Sequence, residues 1–141
     1  MDSGRIPFIG ATDSNNGITN WIATPNSSFD KNVLGVNYNG SVVENFYHPY
    51  SCVFSDDVKR LHLKNHADNK YVLLFFKTVL LQQKIIYTYG YKFNSHRMDR
   101  QKILLPVNDK GNPDYELMEQ YGKQIMLQKS QQYIKYINAR E

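Results

Sequence analysis

The segment YGYKFNSHRMDRQK gathers the side chains best suited to polar recognition, with Tyr91, Lys92, Asn94, Ser95, His96, Arg97 and Arg100 in one short stretch. Arg can donate two hydrogen bonds to guanine, Asn can pair bidentately with adenine, and Lys or Ser can hold phosphate oxygens. The stretch is too polar for a core and is equipped to read DNA. A solvated loop in which Tyr87, Tyr89 and Phe93 pack inward at alternate positions has the same composition, so both readings stay open. A second set, Asn15, Asn16, Asn37 and Asn39 with Ser41, lies in turn-forming sequence. These asparagines serve first as turn residues and only secondarily as base readers.

Catalytic chemistry finds no footing in the sequence. The glycines are scattered, and neither nucleotide-binding fingerprint appears. A methyltransferase acting on exocyclic amines needs a glycine motif for its cofactor and an Asn or Asp followed by two prolines; Asn112-Pro113-Asp114 reads instead as a helix start. His62 and His66 stand four apart, as two zinc ligands on a helix would. No Glu follows His62, however, and LHLKNHADNK reads as a strand end running into a loop. Asp57-Val58-Lys59 and Asp68-Asn69-Lys70 have the acid-x-Lys spacing of many nucleases, without the further acid in the order that motif uses. We therefore expect no enzyme activity, no cofactor and no metal. The lone Cys52, beside Val53 and Phe54, excludes an internal disulfide framework and reads as a buried free thiol.

Lys and Arg exceed Asp and Glu by 17 to 13, and the isoelectric point of about 9.1 suits an anionic partner. The 141 residues, 41% of them hydrophobic, suffice for one domain with a core. No apolar run approaches the roughly 20 residues of a membrane helix, and the amino terminus lacks the pattern of a secretory signal. The expectation is a cytoplasmic protein without a membrane partner.

The elements that would carry these residues follow from patterning. The first half alternates turn formers with short apolar pieces, predicting strands over Pro7 to Ala11, Thr19 to Ala23, Val33 to Asn37, Val42 to Tyr47 and Cys52 to Ser55, with tight turns at Asn16-Gly17 and Asn39-Gly40. KYVLLFFKTVLLQQK, from Lys70 to Lys84, is apolar on every side and predicts a mostly buried helix capped by Asn69 or Asp68. ILLPV predicts a short strand, and NDKG a turn. Asn112 as cap and Pro113 in the first position predict a last helix running to the carboxyl end. Its narrow stripe of Met118, Tyr121, Ile125, Met126, Tyr133 and Ile137 implies that part of it seeks another helix, with Gly122 weakening the stripe midway.

Four segments, in order, resemble a known family: GRIPFIGATDSNNGITNWI, VNYNGSVVENFYHPYSCVFSDDVKRLHLK, YTYGYKFNSHRMDRQKILLPV and NPDYELMEQY. They are similar to the target recognition domain of the DNA-specificity (S) subunit of type I restriction-modification systems, a domain that also occurs in related fused restriction enzymes. The resemblance implies an α+β fold, with a twisted mixed sheet, a buried helix and a long C-terminal spacer helix. It implies a recognition domain over 1–111, lacking the family's usual N-terminal segment, and a spacer or dimerisation helix over 112–141. Double-stranded DNA would be the ligand, with methyltransferase (M) and restriction (R) subunits as partners and self-association, or pairing with another S subunit, through the helix. The alternative class is a non-catalytic fragment that engages methyltransferase or S subunits through that helix, and a third is a nuclease fragment of a fused enzyme.

Overall fold

A computed structural model of the chain describes residues 3–38, 43–84 and 102–140. Strands β1 (Ser3–Ile9), β2 (Ile18–Ile22), β3 (Val33–Asn37), β4 (Asn45–His48), β5 (Val53–Phe54) and β6 (Val58–Leu61) are followed by helices α1 (Lys70–Leu81) and α2 (Tyr115–Ala139). The strands divide between two three-stranded sheets, ordered β2-β1-β5 and β4-β3-β6. The first is mixed, since β1 runs antiparallel to β2 and parallel to β5. The second is antiparallel throughout. The fold is thus α+β.

Strand β3 is buried along its whole length because both of its faces are covered. Leu34 and Val36 join Val43, Leu73 and Leu80 in a core between the second sheet and α1. Val33, one residue out of phase, joins Ile9, Cys52, Phe54 and Val58 in a second core shared with the first sheet. Each such fully buried aliphatic side chain contributes about 1.5–3 kcal/mol. Between Val33 and Asn37 on that second face stands Gly35, where a Cβ would lie 3.0 Å from the Phe54 ring and 3.2 Å from His48 Nε2. A side chain there would push the sheets apart.

Helix α1 begins where Asn69 Oδ1 accepts hydrogen bonds from Tyr71 N at 2.9 Å and Val72 N at 3.3 Å. It ends at Leu81, three residues before the expected limit, and only Val72, Leu73 and Leu80 are fully buried. Helix α2 crosses it through close contacts at its first turns. Met118 is completely buried, the Phe75 and Tyr121 rings meet edge to face, and Gly122 lets the backbones approach, since a Cβ there would lie 2.8 Å from Tyr71 Cβ. The expected weak point in the stripe is the crossing itself. From Gln128 onward α2 is exposed on every side.

Several expectations are corrected. ILLPV forms no regular strand; it takes part in a single bridge, between Val107 and Pro113. That bridge, together with Asn108 Oδ1 accepting from the Asn112 backbone at 3.1 Å, holds Asn112 and Pro113 in the preceding turn. Asp114 therefore caps α2, accepting from Leu117 N at 3.0 Å, and Pro113 lies outside the helix. Strand β6 was unexpected, because VKRL carries two charges. It is an edge strand, with Arg60 reaching the Asp30 carboxylate and Lys59 lying over the Tyr38 ring. The predicted turn at Asn39-Gly40 lies outside the described residues.

Candidate nucleic-acid interface

The loop between β1 and β2 holds Asn15 and Asn16 of the predicted recognition set. Asn15, Asn16 and Gly17 are consecutive left-handed residues, with φ of 52°, 53° and 81°. Asparagine and glycine tolerate this conformation where most side chains do not. The backbone closes through Gly17 N to Ser14 O and Gly10 N to Gly17 O, each 2.9 Å. Gly17 is buried, and a Cβ on it would lie 3.2 Å from Ile9 Cγ2 and 3.3 Å from the Phe46 ring.

Asn16 is tied to residues far along the chain. Its Nδ2 donates to Tyr50 Oη at 2.8 Å and to the Tyr47 carbonyl at 3.3 Å. Tyr50 Oη in turn meets His48 Nδ1 at 3.0 Å. Because Asn16 donates to the phenol oxygen, the phenol proton is free to point at His48 Nδ1 when that imidazole is neutral. His48 is fully buried, edge-on to Phe54, and its Nε2 has no hydrogen-bond partner. Burial, with a smaller contribution from the Lys77 charge, pushes its pKa down to about 4. Burial likewise raises Tyr50 above the usual phenol range, against the hydrogen bond from Asn16.

The predicted residues do not form one constellation among those described. Asn15 is exposed, and its carboxamide has no partner among the described residues. Asn16 is exposed but spent on Tyr50 and Tyr47. Asn37 is buried, its Nδ2 donating to Thr12 O at 2.9 Å, so it supports the same loop from beneath. Asn39, Ser41, Tyr91, Lys92, Asn94, Ser95, His96, Arg97 and Arg100 lie outside the described residues. Sequence reasoning overlooked His48 and Tyr50, although a histidine and a tyrosine flanking Pro49 amid apolar strands were a legible sign of a buried polar pair.

A second polar cluster lies beyond the edge of the other sheet. His62 Nε2 meets Asp30 Oδ2 at 2.7 Å and its Nδ1 meets Asp68 Oδ2 at 2.6 Å, while Arg60 reaches Asp30 at 3.2 Å. Burial opposes charge on His62, but the hydrogen bonds to Asp30 and Asp68 outweigh it and raise the pKa above its usual value. Burial also works against ionised Asp30, yet the bonds to His62 and the Lys31 amide leave its pKa lowered. The cluster binds three segments together and borders an open hollow of about 430 Å³ lined by Ser28, Ser55 and Lys59. His66 turns away, with Nδ1 on the Ala67 carbonyl and its ring against Tyr115, so the two imidazoles do not converge. Among the described residues no group of three or more His, Cys, Asp or Glu side chains could hold a metal ion. Within the two acid-x-Lys triplets, Lys59 covers the Tyr38 ring, Asp68 accepts from the Leu63 amide and meets His62, and Asn69 caps α1. Cys52 is buried, and burial pushes its thiol up to about 12, so it is an inert core residue.

The model of the family described as type I restriction modification DNA specificity domain matches residues 1–135. The chain belongs to that family. A curated relative, the "Type II restriction enzyme BgcI specificity subunit S.BcgI" of Heyndrickxia coagulans, is 71% identical over 121 residues, which are 86% of this chain and 36% of that protein. Among solved structures, the S subunit of a type I restriction-modification system from M. genitalium matches 99% of this chain and 36% of its own, with a TM-score of 0.51 and 20% identity. That likeness speaks for the fold. The specificity-domain chain thus spans about a third of the length of the relatives it matches. No helix among its described residues is long and apolar enough to cross a membrane.

Proposed function

We propose that this chain reads one part of a duplex DNA target in the cytoplasm and directs methyltransferase and restriction subunits to it, performing no chemistry itself. The supporting observation is the match to the DNA specificity family over residues 1–135, strengthened by 71% identity to a specificity subunit. Residues 1–111 form the recognition unit and 112–141 the spacer. The reading surface comprises Asn15 and the set from Asn39 and Ser41 through Tyr91, Lys92, Asn94, Ser95, His96, Arg97 and Arg100. Binding is to both base edges and phosphates, and therefore salt-dependent.

The spacer pairs with a second helix, from another copy or from the rest of a longer specificity subunit. Tyr133, Ile134, Tyr136 and Ile137 support this, being between 39% and 62% exposed on a helix that has left its own domain. Selection of bound sequences from random duplex DNA, with and without the cognate methyltransferase subunit, tests the recognition role. Recovery of unenriched sequence under both conditions would reject it. Turnover of a labelled methyl donor, or magnesium-dependent cleavage, abolished by a point change in this chain would reject the non-catalytic role. Sedimentation tests pairing: a monomer at high concentration, unchanged on removing residues 128–141, speaks against self-association.

A further inference from the structure

The loop from Gly10 to Gly17 has a construction that simple chain reversal does not require. Three left-handed residues in succession are costly for side-chain-bearing amino acids and persist where the surroundings over-determine them. Here the surroundings do so: Gly17 is packed on Ile9 and Phe46, and Asn16 is held by Tyr50 and Tyr47 from more than thirty residues away. Of the two exposed asparagines in this turn, Asn16 is spent on the bracing and Asn15 is left over. Asn15 projects a carboxamide that none of the described residues engages.

We propose that Asn15 is a specificity-determining residue that reads an adenine from the major groove, and that Tyr50 is the positioning residue that holds its turn. This rests on the DNA-recognition reading and deepens it. A carboxamide presents one donor and one acceptor side by side, matching adenine N7 and the N6 amino group. The loop GATDSNNG carries Asp13 and no Lys or Arg, so it offers a phosphate no cation, whereas the Asn15 carboxamide matches a base edge. Tyr50 never approaches DNA; through Asn16 it removes the rotational freedom that would otherwise weaken a two-point contact. His48 completes the chain from inside the core by taking the other side of the phenol.

The test begins with the duplex selected by the wild-type protein in the presence of the cognate methyltransferase subunit. Affinities of wild type, Asn15→Ala, Tyr50→Phe and the double variant are then compared on that duplex and on duplexes changed one base pair at a time. Asn15→Ala should relax discrimination at one A·T pair by roughly 5- to 150-fold, the range for one lost bidentate contact. Its salt dependence should match that of wild type. Tyr50→Phe should relax the same pair, and the double variant should be no worse than Asn15→Ala alone. Should Tyr50→Phe fail to fold, Asn16→Gly keeps a left-handed backbone, deletes the ties and should relax the same pair. Unaltered preference in Asn15→Ala overturns the adenine contact. A lowered melting temperature with unaltered preference in Tyr50→Phe, or in Asn16→Gly, overturns the positioning role. A wild type with no preference for any sequence would instead defeat the recognition reading, and this inference with it.

Discussion

Lowering the pH below 6.5 should destabilise this chain through His48. Burial, helped by the nearby Lys77 ammonium, brings the His48 pKa from the ordinary 6.5 down to about 4. Between those values the unfolded chain takes up a proton that the folded chain refuses, so stability falls as pH falls. The slope approaches about 1.4 kcal/mol per pH unit, and the full window costs about 3 kcal/mol. That is a large share of the roughly 5–15 kcal/mol holding a domain of this size. His62 acts with the opposite sign. Its pKa is raised by Asp30 and Asp68, so its contribution is fully present below 6.5 and is lost as pH rises through its folded value. Asp30, with its pKa lowered, contributes above 3.8 and loses that only at still lower pH, outside the His48 window. Urea unfolding followed by circular dichroism from about pH 7.5 down to about pH 4.5 should show the wild type losing about 2–3 kcal/mol on the acid side. His48→Gln should flatten that limb whatever its stability at neutral pH, and His62→Gln should leave it intact while flattening the alkaline limb. An acid limb equally steep in His48→Gln, or a His48 imidazole titrating near 6.5 by NMR, would refute the reasoning.

At the helix crossing, Gly122→Ala should destabilise despite improving helix propensity by about 1 kcal/mol, because overpacking costs about 1–3 kcal/mol. The new methyl would lie 2.8 Å from Tyr71 Cβ and 3.3 Å from its Cα, and backbone yields little; a rise in melting temperature would count against the close crossing. Asn69→Ala removes the acceptor for two amides at the start of α1 and should cost about 0.5–2 kcal/mol in chemical denaturation, whereas a neutral result would show that another group caps the helix. In the basic stretch, Arg97→Ala should cost about 1–3 kcal/mol on the preferred duplex and relax one base position. Lys92→Ala should instead weaken binding on all duplexes and reduce the salt slope by about one. Binding isotherms at several salt concentrations separate the two, and no effect from either variant in a DNA-binding protein would move the reading surface elsewhere.

By itself, the sequence determined the backbone elements whose causes are local. Val33–Asn37 appears where alternation and bounding turns predict it, and α1 starts beside Asn69 because the cap and the apolar run adjoin in the chain. The long polar-faced helix was equally legible, as was the buried Cys52. The four ordered segments carried the family resemblance, and through it the DNA-recognition reading. Tertiary structure decided what depends on partners distant in sequence. Helix α2 starts after Asp114 because a bridge to Val107 withholds Asn112 and Pro113 from the helix. The strand Val58–Leu61 forms, despite its charges, because Val36 and its neighbours offer an open ladder edge. Gly122 reads as a flaw in a stripe until Tyr71 is brought against it. The three described asparagines of the recognition set are alike in composition, yet one is buried beneath Thr12, one is bonded to Tyr50 and one is left exposed. A hydrogen bond across thirty-four residues leaves no mark on local propensity, so only the folded chain could tell them apart.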